Sequence, residues 1–147
     1  EHGDVLGRHK GIIHYTVGQR RGLGVSSSER LYVQKTSVPD NTVTLTPLSG
    51  LFAPALIADG LNLISCDKLD GSTRVTARIR YHQPEQDAVV TQLDDNTIRV
   101  DFDQPQRAIS PGQAVVLYQG DTVVGGATIV AALGCVAIYG KAYSKNE

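Results

Sequence analysis

Residues 73–81 read TRVTARIRY, from Thr73 to Tyr81, and the alternation in this run decides the fold class. Side chains alternate across a β-strand, which predicts Val75, Ala77, Ile79 and Tyr81 on one face and Arg74, Thr76, Arg78 and Arg80 on the other. The same period of two recurs along the chain at 12–17, 30–36, 42–46, 61–65, 88–93, 97–102, 114–118 and 122–130. Turn formers separate these runs: Pro39-Asp40-Asn41, Leu69-Asp70-Gly71-Ser72, Asp94-Asp95-Asn96, Ser110-Pro111-Gly112 and Gln119-Gly120-Asp121. Short alternating runs broken at such intervals predict an all-β protein. The only helical candidate is a short turn over 51–58. With two Phe, no Trp and no Met, the core must be built mainly from Val, Ile, Leu and Ala.

A chain of 147 residues fits one domain or two small ones of about 70 residues each. The Asp70-Gly71 turn places a boundary near 68–71. The strands after it, bent where Gly125-Gly126 marks a bulge or corner, predict a six-stranded antiparallel barrel over 69–133. Residues 1–68 are then a small β domain, and 134–147 a frayed tail.

Several function classes are excluded at this stage. No apolar run approaches the ~20 residues that cross a bilayer, and residues 1–30 lack the regions of a signal peptide, so no membrane partner is expected. Cys66 and Cys135 sit in no C-x-x-C or His/Cys ligand spacing, which argues against zinc and for reduced thiols in a cytoplasmic protein. Net charge is −1 but uneven. Residues 1–35 carry six Lys/Arg against three acids, 74–80 add three arginines, and 84–121 carry seven acids against Arg99 and Arg107. One basic and one acidic surface are therefore expected. On the arginine face of 73–81, alternate side chains repeat at ~6.6–6.8 Å, close to the phosphate spacing of a nucleic-acid strand. A solvated sheet face is the other reading of the same pattern.

Residues 9–25, HKGIIHYTVGQRRGLGV, invite a catalytic reading and do not sustain it. His9 and His14 are five apart, which suits neither one face of a helix nor one face of a strand, so metal ligation is not expected. The glycines lack the Lys and hydroxyl that end a phosphate-binding P-loop, and GLG is too short for a dinucleotide fingerprint. Gly18, Gly22 and Gly24 instead permit a tight loop presenting Gln19, Arg20 and Arg21. Those donors suit a polyanion, although a solvated hairpin loop would look the same. No activated Ser or Cys nucleophile is visible, so the residues favour a binding module over an enzyme.

The run VLGRHKGIIHYTVGQRRGLGV at 5–25 resembles a block of the MnmA/TrmU-type tRNA-uridine 2-sulfurtransferases, also called tRNA 2-thiouridylases. LYV at 31–33, RIRYHQ at 78–83, VDFDQPQRAISPGQAVVLY at 100–118 and GGATI at 125–129 resemble later blocks of that family in the same order. The resemblance covers about 5–130. It implies the family's small central β domain over 1–68 and its C-terminal barrel over 69–133, with tRNA as partner. It also implies an ATP-using PP-loop domain, with an S-G-G-x-D-S motif and two catalytic cysteines, that this chain does not contain. Cys66 and Cys135 match neither catalytic context. The family's barrel contacts to tRNA fall, position by position, on Arg80, Tyr81 and Gln113. Ser110 stands where Thr is usual, Ala127 replaces the third glycine of a glycine run, the Pro usual before LYV is absent, and 134–147 match no family block.

The expected function is tRNA binding in support of ATP-dependent 2-thiolation of the wobble uridine, with no catalysis by this chain alone and no cofactor or metal of its own. Arg20, Arg21, Arg74, Arg78 and Arg80 are expected on phosphate or sugar, and Gln19, Tyr81 and Gln113 beside nucleotides. The rival is a protein-interaction module that docks the catalytic domain or a sulfur-relay protein. An autonomous enzyme using the His9/His14 region is a distant third.

Overall fold

The computed structural model describes residues 5–9, 15, 17–20, 31–37, 39, 41–46, 48–134 and 140–144. Ten strands run through them: β1 (Val5–His9), β2 (Tyr32–Ser37), β3 (Thr42–Thr46), β4 (Phe52–Leu63), β5 (Ser72–Arg78), β6 (Gln86–Gln92), β7 (Ile98–Arg107), β8 (Ala114–Gln119), β9 (Thr122–Leu133) and β10 (Gly140–Ser144). The candidate strand at 12–17 lies outside the described residues except for Tyr15 and Val17. No described helix is long and apolar enough to cross a membrane.

Strands β4-β7-β6-β5-β8-β9 close into an antiparallel barrel. Closure follows from the alternation. Val75, Ala77 and Ile79 of the TRVTARIRY run point inward with Val90, Ile98, Val100, Leu117 and Ile129, all almost fully buried. The six-strand count matches the expectation, but the sixth strand is β4. It precedes the Asp70-Gly71 turn, so the chain divides at Phe52/Ala53 into residues 1–52 with 135–147 and residues 53–134. The turn expected as a domain boundary is a loop inside the barrel, with Gly71 at a φ of 55°.

The expected helical turn at 51–58 is also corrected. One 3-10 turn spans Leu48–Leu51, and Phe52 opens β4. A bulge between Ile57 and Ala58 shifts the register against β9. Leu56 is therefore buried beside Ala55, and the period-two signal is broken there. Strand β9 continues through Gly125-Gly126, but its register on β8 shifts beside the pair: Leu117 pairs with Gly125 and Tyr118 with Val123, which leaves Val124 as the bulge expected there. A Cβ on Gly125 would lie 2.5 Å from the Asn62 carbonyl oxygen, so the residue permits close approach of β4 and β9.

The other unit holds a four-stranded sheet in the order β1-β10-β3-β2. Leu31, Val33, Val43 and Leu45 form its described core, with Tyr15 packed against them. Residues 140–144, expected as frayed tail, form β10, which is parallel to β1 and antiparallel to β3. A strand with a partner on each side satisfies backbone groups that a loose tail would leave to water. Gly18, at a φ of 92°, turns the loop so that its N–H donates to Val33 O (2.7 Å) and Gln19 O accepts from Val33 N (2.9 Å).

Candidate nucleic-acid interface

Strand β5 ends at Arg78, three residues before the end of the run that predicted it. The chain then turns, with Gln83 N–H donating to Arg80 O at 3.2 Å. Tyr81, expected on the buried face, is consequently 84% exposed. Its ring meets that of His82 edge to face, with centroids 4.9 Å apart at 77°. An exposed, edge-braced phenol is a platform on which a nucleobase can stack.

The arginines of the same run are not equivalent. Arg74 donates to the Asp103 carboxylate, reaching across β6 to β7, and that hydrogen bond with its charge raises the Arg74 pKa. Arg78 lies 3.6 Å from Glu85 Oε2 and over the Tyr118 ring at 5.6 Å, a cation–π distance. Its Nε is closed off from solvent without a hydrogen-bond partner. Thr76 Oγ1 donates to Glu85 Oε1 at 2.5 Å. Separate basic and acidic surfaces were expected, yet Glu85 and Asp103 of the acid-rich segment share a sheet face with Arg78 and Arg74. Antiparallel pairing of β5, β6 and β7 folds the two charge runs onto each other.

Arg80 is half-buried. Its Nη2 donates to the carbonyl of Arg107 at 2.6 Å and to that of Ala108. Burial, and then the neighbouring Arg107, lower its pKa from the ordinary guanidinium value. Ala108 has a φ of 52°, a left-handed conformation that costs a residue with a Cβ ~1–2 kcal/mol. Its carbonyl also accepts from Ser110 Oγ at 3.0 Å, and Ser110 O accepts from Gln113 N at 3.2 Å. An unbroken set of hydrogen bonds thus leads from Arg80 to the turn that carries Gln113, an exposed residue.

Strand register fixes which candidates share an end of the barrel. Arg78 pairs with Val116 on β8, and Ala114 pairs with Thr128 on β9. Arg80, Tyr81 and Gln113 therefore lie at one end, with Arg74 further down the wall. Gln19 and exposed Arg20 belong to the other unit. Arg21 and His14 lie outside the described residues. No three His, Cys, Asp or Glu side chains gather into a metal-holding group among the described residues.

Sequence reasoning missed Ala108, because nothing in RAIS marks a left-handed residue. It also missed the contact of Gln83 Nε2 with Gln106 Oε1 at 3.1 Å, although Gln106 is 96% buried and itself donates to Gln104 O at 2.7 Å. The available signal is the break after Phe102, where Gln104 and Gln106 stand at positions that the alternation of Ile98, Val100 and Phe102 would fill with apolar residues.

Residues 54–129 match the family described as the aminomethyltransferase beta-barrel domain, and residues 1–47 match the tRNA methyl transferase PRC-barrel domain. The tRNA-specific 2-thiouridylase MnmA of Acetivibrio thermocellus is 51% identical over 86% of this chain. MnmA 1 of Thermoanaerobacter pseudethanolicus is 54% identical over the same share, and MnmA of Halothermothrix orenii 49%. The chain belongs to the tRNA 2-thiouridylase family. It spans about a third of these relatives, covering 35%, 35% and 36% of their lengths. The two matched domains fall on either side of Phe52/Ala53, where the fold also divides.

Proposed function

We propose that the chain is a tRNA-holding part of a 2-thiouridylase, supporting 2-thiolation of the wobble uridine by an ATP-using PP-loop domain, in the cytoplasm. The observation that carries this reading is the exposed Tyr81 at the barrel end that also carries Gln113, within a family whose relatives are named for tRNA thiolation. Tyr81 stacks on a base and Gln113 bonds a nucleotide edge or sugar. Gln19, Arg20 and Arg21 add donors, and Arg74 and Arg78 reach phosphates in competition with Asp103 and Glu85. Titration of the full chain with tRNA at several salt concentrations tests this. Affinity should fall steeply with salt, and Tyr81→Ala should weaken binding by ~1–3 kcal/mol while Tyr81→Phe retains most of it. Salt-independent binding, or an unchanged Tyr81→Ala, rejects the reading.

A second reading, a module docking the PP-loop domain or a sulfur-relay protein, is favoured by exposed apolar Ile64 and Leu93 at the opposite barrel end. It predicts that a separately produced PP-loop domain is retained by this chain while tRNA alone is not.

A further inference from the structure

The cluster around Arg80 suggests a role different from that of the other arginines. Its Nη2 donates to the carbonyls of both Arg107 and Ala108, which commits that nitrogen to the protein and fixes the plane of the guanidinium. Those carbonyls belong to the segment between β7 and β8, whereas Arg80 opens the turn after β5. Two observations show that the junction is built. Ala108 holds a φ of 52°, uncommon for a residue with a Cβ, and its carbonyl accepts from both Arg80 and Ser110 Oγ. Gln83 closes the Arg80 turn and is itself tied to the buried Gln106 near the end of β7.

We propose that Arg80 is a positioning residue that locks the turn bearing Tyr81 to the turn bearing Gln113 through the Ala108 carbonyl, rather than a phosphate contact. The inference rests on the tRNA-binding reading of the same site and adds a division of labour within it. Tyr81 and Gln113 touch the nucleotide, and Arg80 sets their relative position before RNA arrives. The pre-organisation lowers the ordering cost that binding would otherwise incur.

The test uses the full chain with Arg80→Lys and Arg80→Ala. A phosphate contact is largely replaced by lysine, whereas a half-buried guanidinium whose planar group holds one nitrogen on two carbonyls is not, because a flexible, strongly hydrated ammonium lacks that fixed plane. Arg80→Lys should therefore bind tRNA about tenfold more weakly, comparable to losing a stacked base, with the slope of log affinity against log salt unchanged. Arg80→Ala should also leave the slope unchanged, where loss of a phosphate contact would reduce it by about 0.7–0.9. In a Tyr81→Ala/Gln113→Ala background the Arg80→Lys penalty should disappear, because nothing remains to position. Amide exchange without RNA supplies an independent arm: Arg80→Lys should speed exchange both at 81–83 and at 110–113. Retained affinity in Arg80→Lys, a reduced slope in Arg80→Ala, or faster exchange at only one turn overturns the proposal. If the unsubstituted chain binds no tRNA while both turns loosen together, the binding reading fails and the positioning link stands.

Discussion

At the scale of single residues, short-range hydrogen bonding decides what a charge contributes. Asp94 begins the β6–β7 turn. Its Oδ1 accepts from the Asn96 N–H at 2.8 Å, and that bond, followed by one from the Thr97 side chain, holds its pKa below the ordinary carboxylate value. A carboxyl depressed in the folded state contributes stability that is present above its unfolded pKa of about 3.9 and lost as pH falls through the folded value. Asp94→Asn should therefore be less stable than the unsubstituted chain at pH 6, and the gap in urea midpoint should narrow as pH falls below the ordinary carboxylate range. A gap constant with pH would show that the charge on Asp94 is irrelevant to the turn. Asp94-Asp95-Asn96 was legible as a turn because Asx side chains bond the backbone two residues on. Tyr81 was legible as a contact only through the family resemblance, since alternation alone assigned it to the core.

At the scale of elements, period two located β6 and β8 to within a residue or two, because each has one buried face and no irregularity large enough to break the alternation; it also located β3, although that strand is buried throughout, and overran β5 by three residues. It failed at β4, where Pro54 and the bulge at Ile57/Ala58 interrupt the pattern, and it therefore put the domain boundary one strand too late. Charge pairing between strands was not legible either. Arg74 and Asp103 are brought together only by the register of β5 on β6 and β6 on β7. That pairing has a functional consequence. Arg74 donates to Asp103 on a face where both are solvent-exposed, with side chains 60% and 40% accessible. Asp103→Asn should free the guanidinium for phosphate, tightening tRNA binding at low salt and steepening the log–log salt slope by up to about 0.9. Exposed ion pairs contribute ~0–1 kcal/mol, so thermal stability should change little. An unaltered slope would remove Arg74 from the set of phosphate contacts and leave its pairing purely structural.

At the scale of the whole molecule, the described residues form two cores with no residue in common. One lies in the barrel around Leu56, Leu117 and Ile129, and the other in the four-stranded sheet around Val33, Val43 and Leu45. The candidate contacts are divided in the same way, with Gln19 and Arg20 in one unit and Tyr81 and Gln113 in the other. Packing defects should then have regional effects. Leu117 is fully buried, and Leu117→Ala leaves a cavity expected to cost ~2–5 kcal/mol. Native-state hydrogen exchange of that variant should show protection lost across β5, β6, β8 and β9, with β2 and β3 little changed. Val43→Ala should produce the reverse, loosening β2, β3 and β10 while the barrel amides keep their protection. If either substitution lowered protection equally in both units, the two cores would form one cooperative block, and a contact made through Arg20 could not be tuned separately from one made through Tyr81. If the effects stay regional, each unit can be weakened in turn, and the share of tRNA affinity carried by each becomes measurable from the same pair of variants.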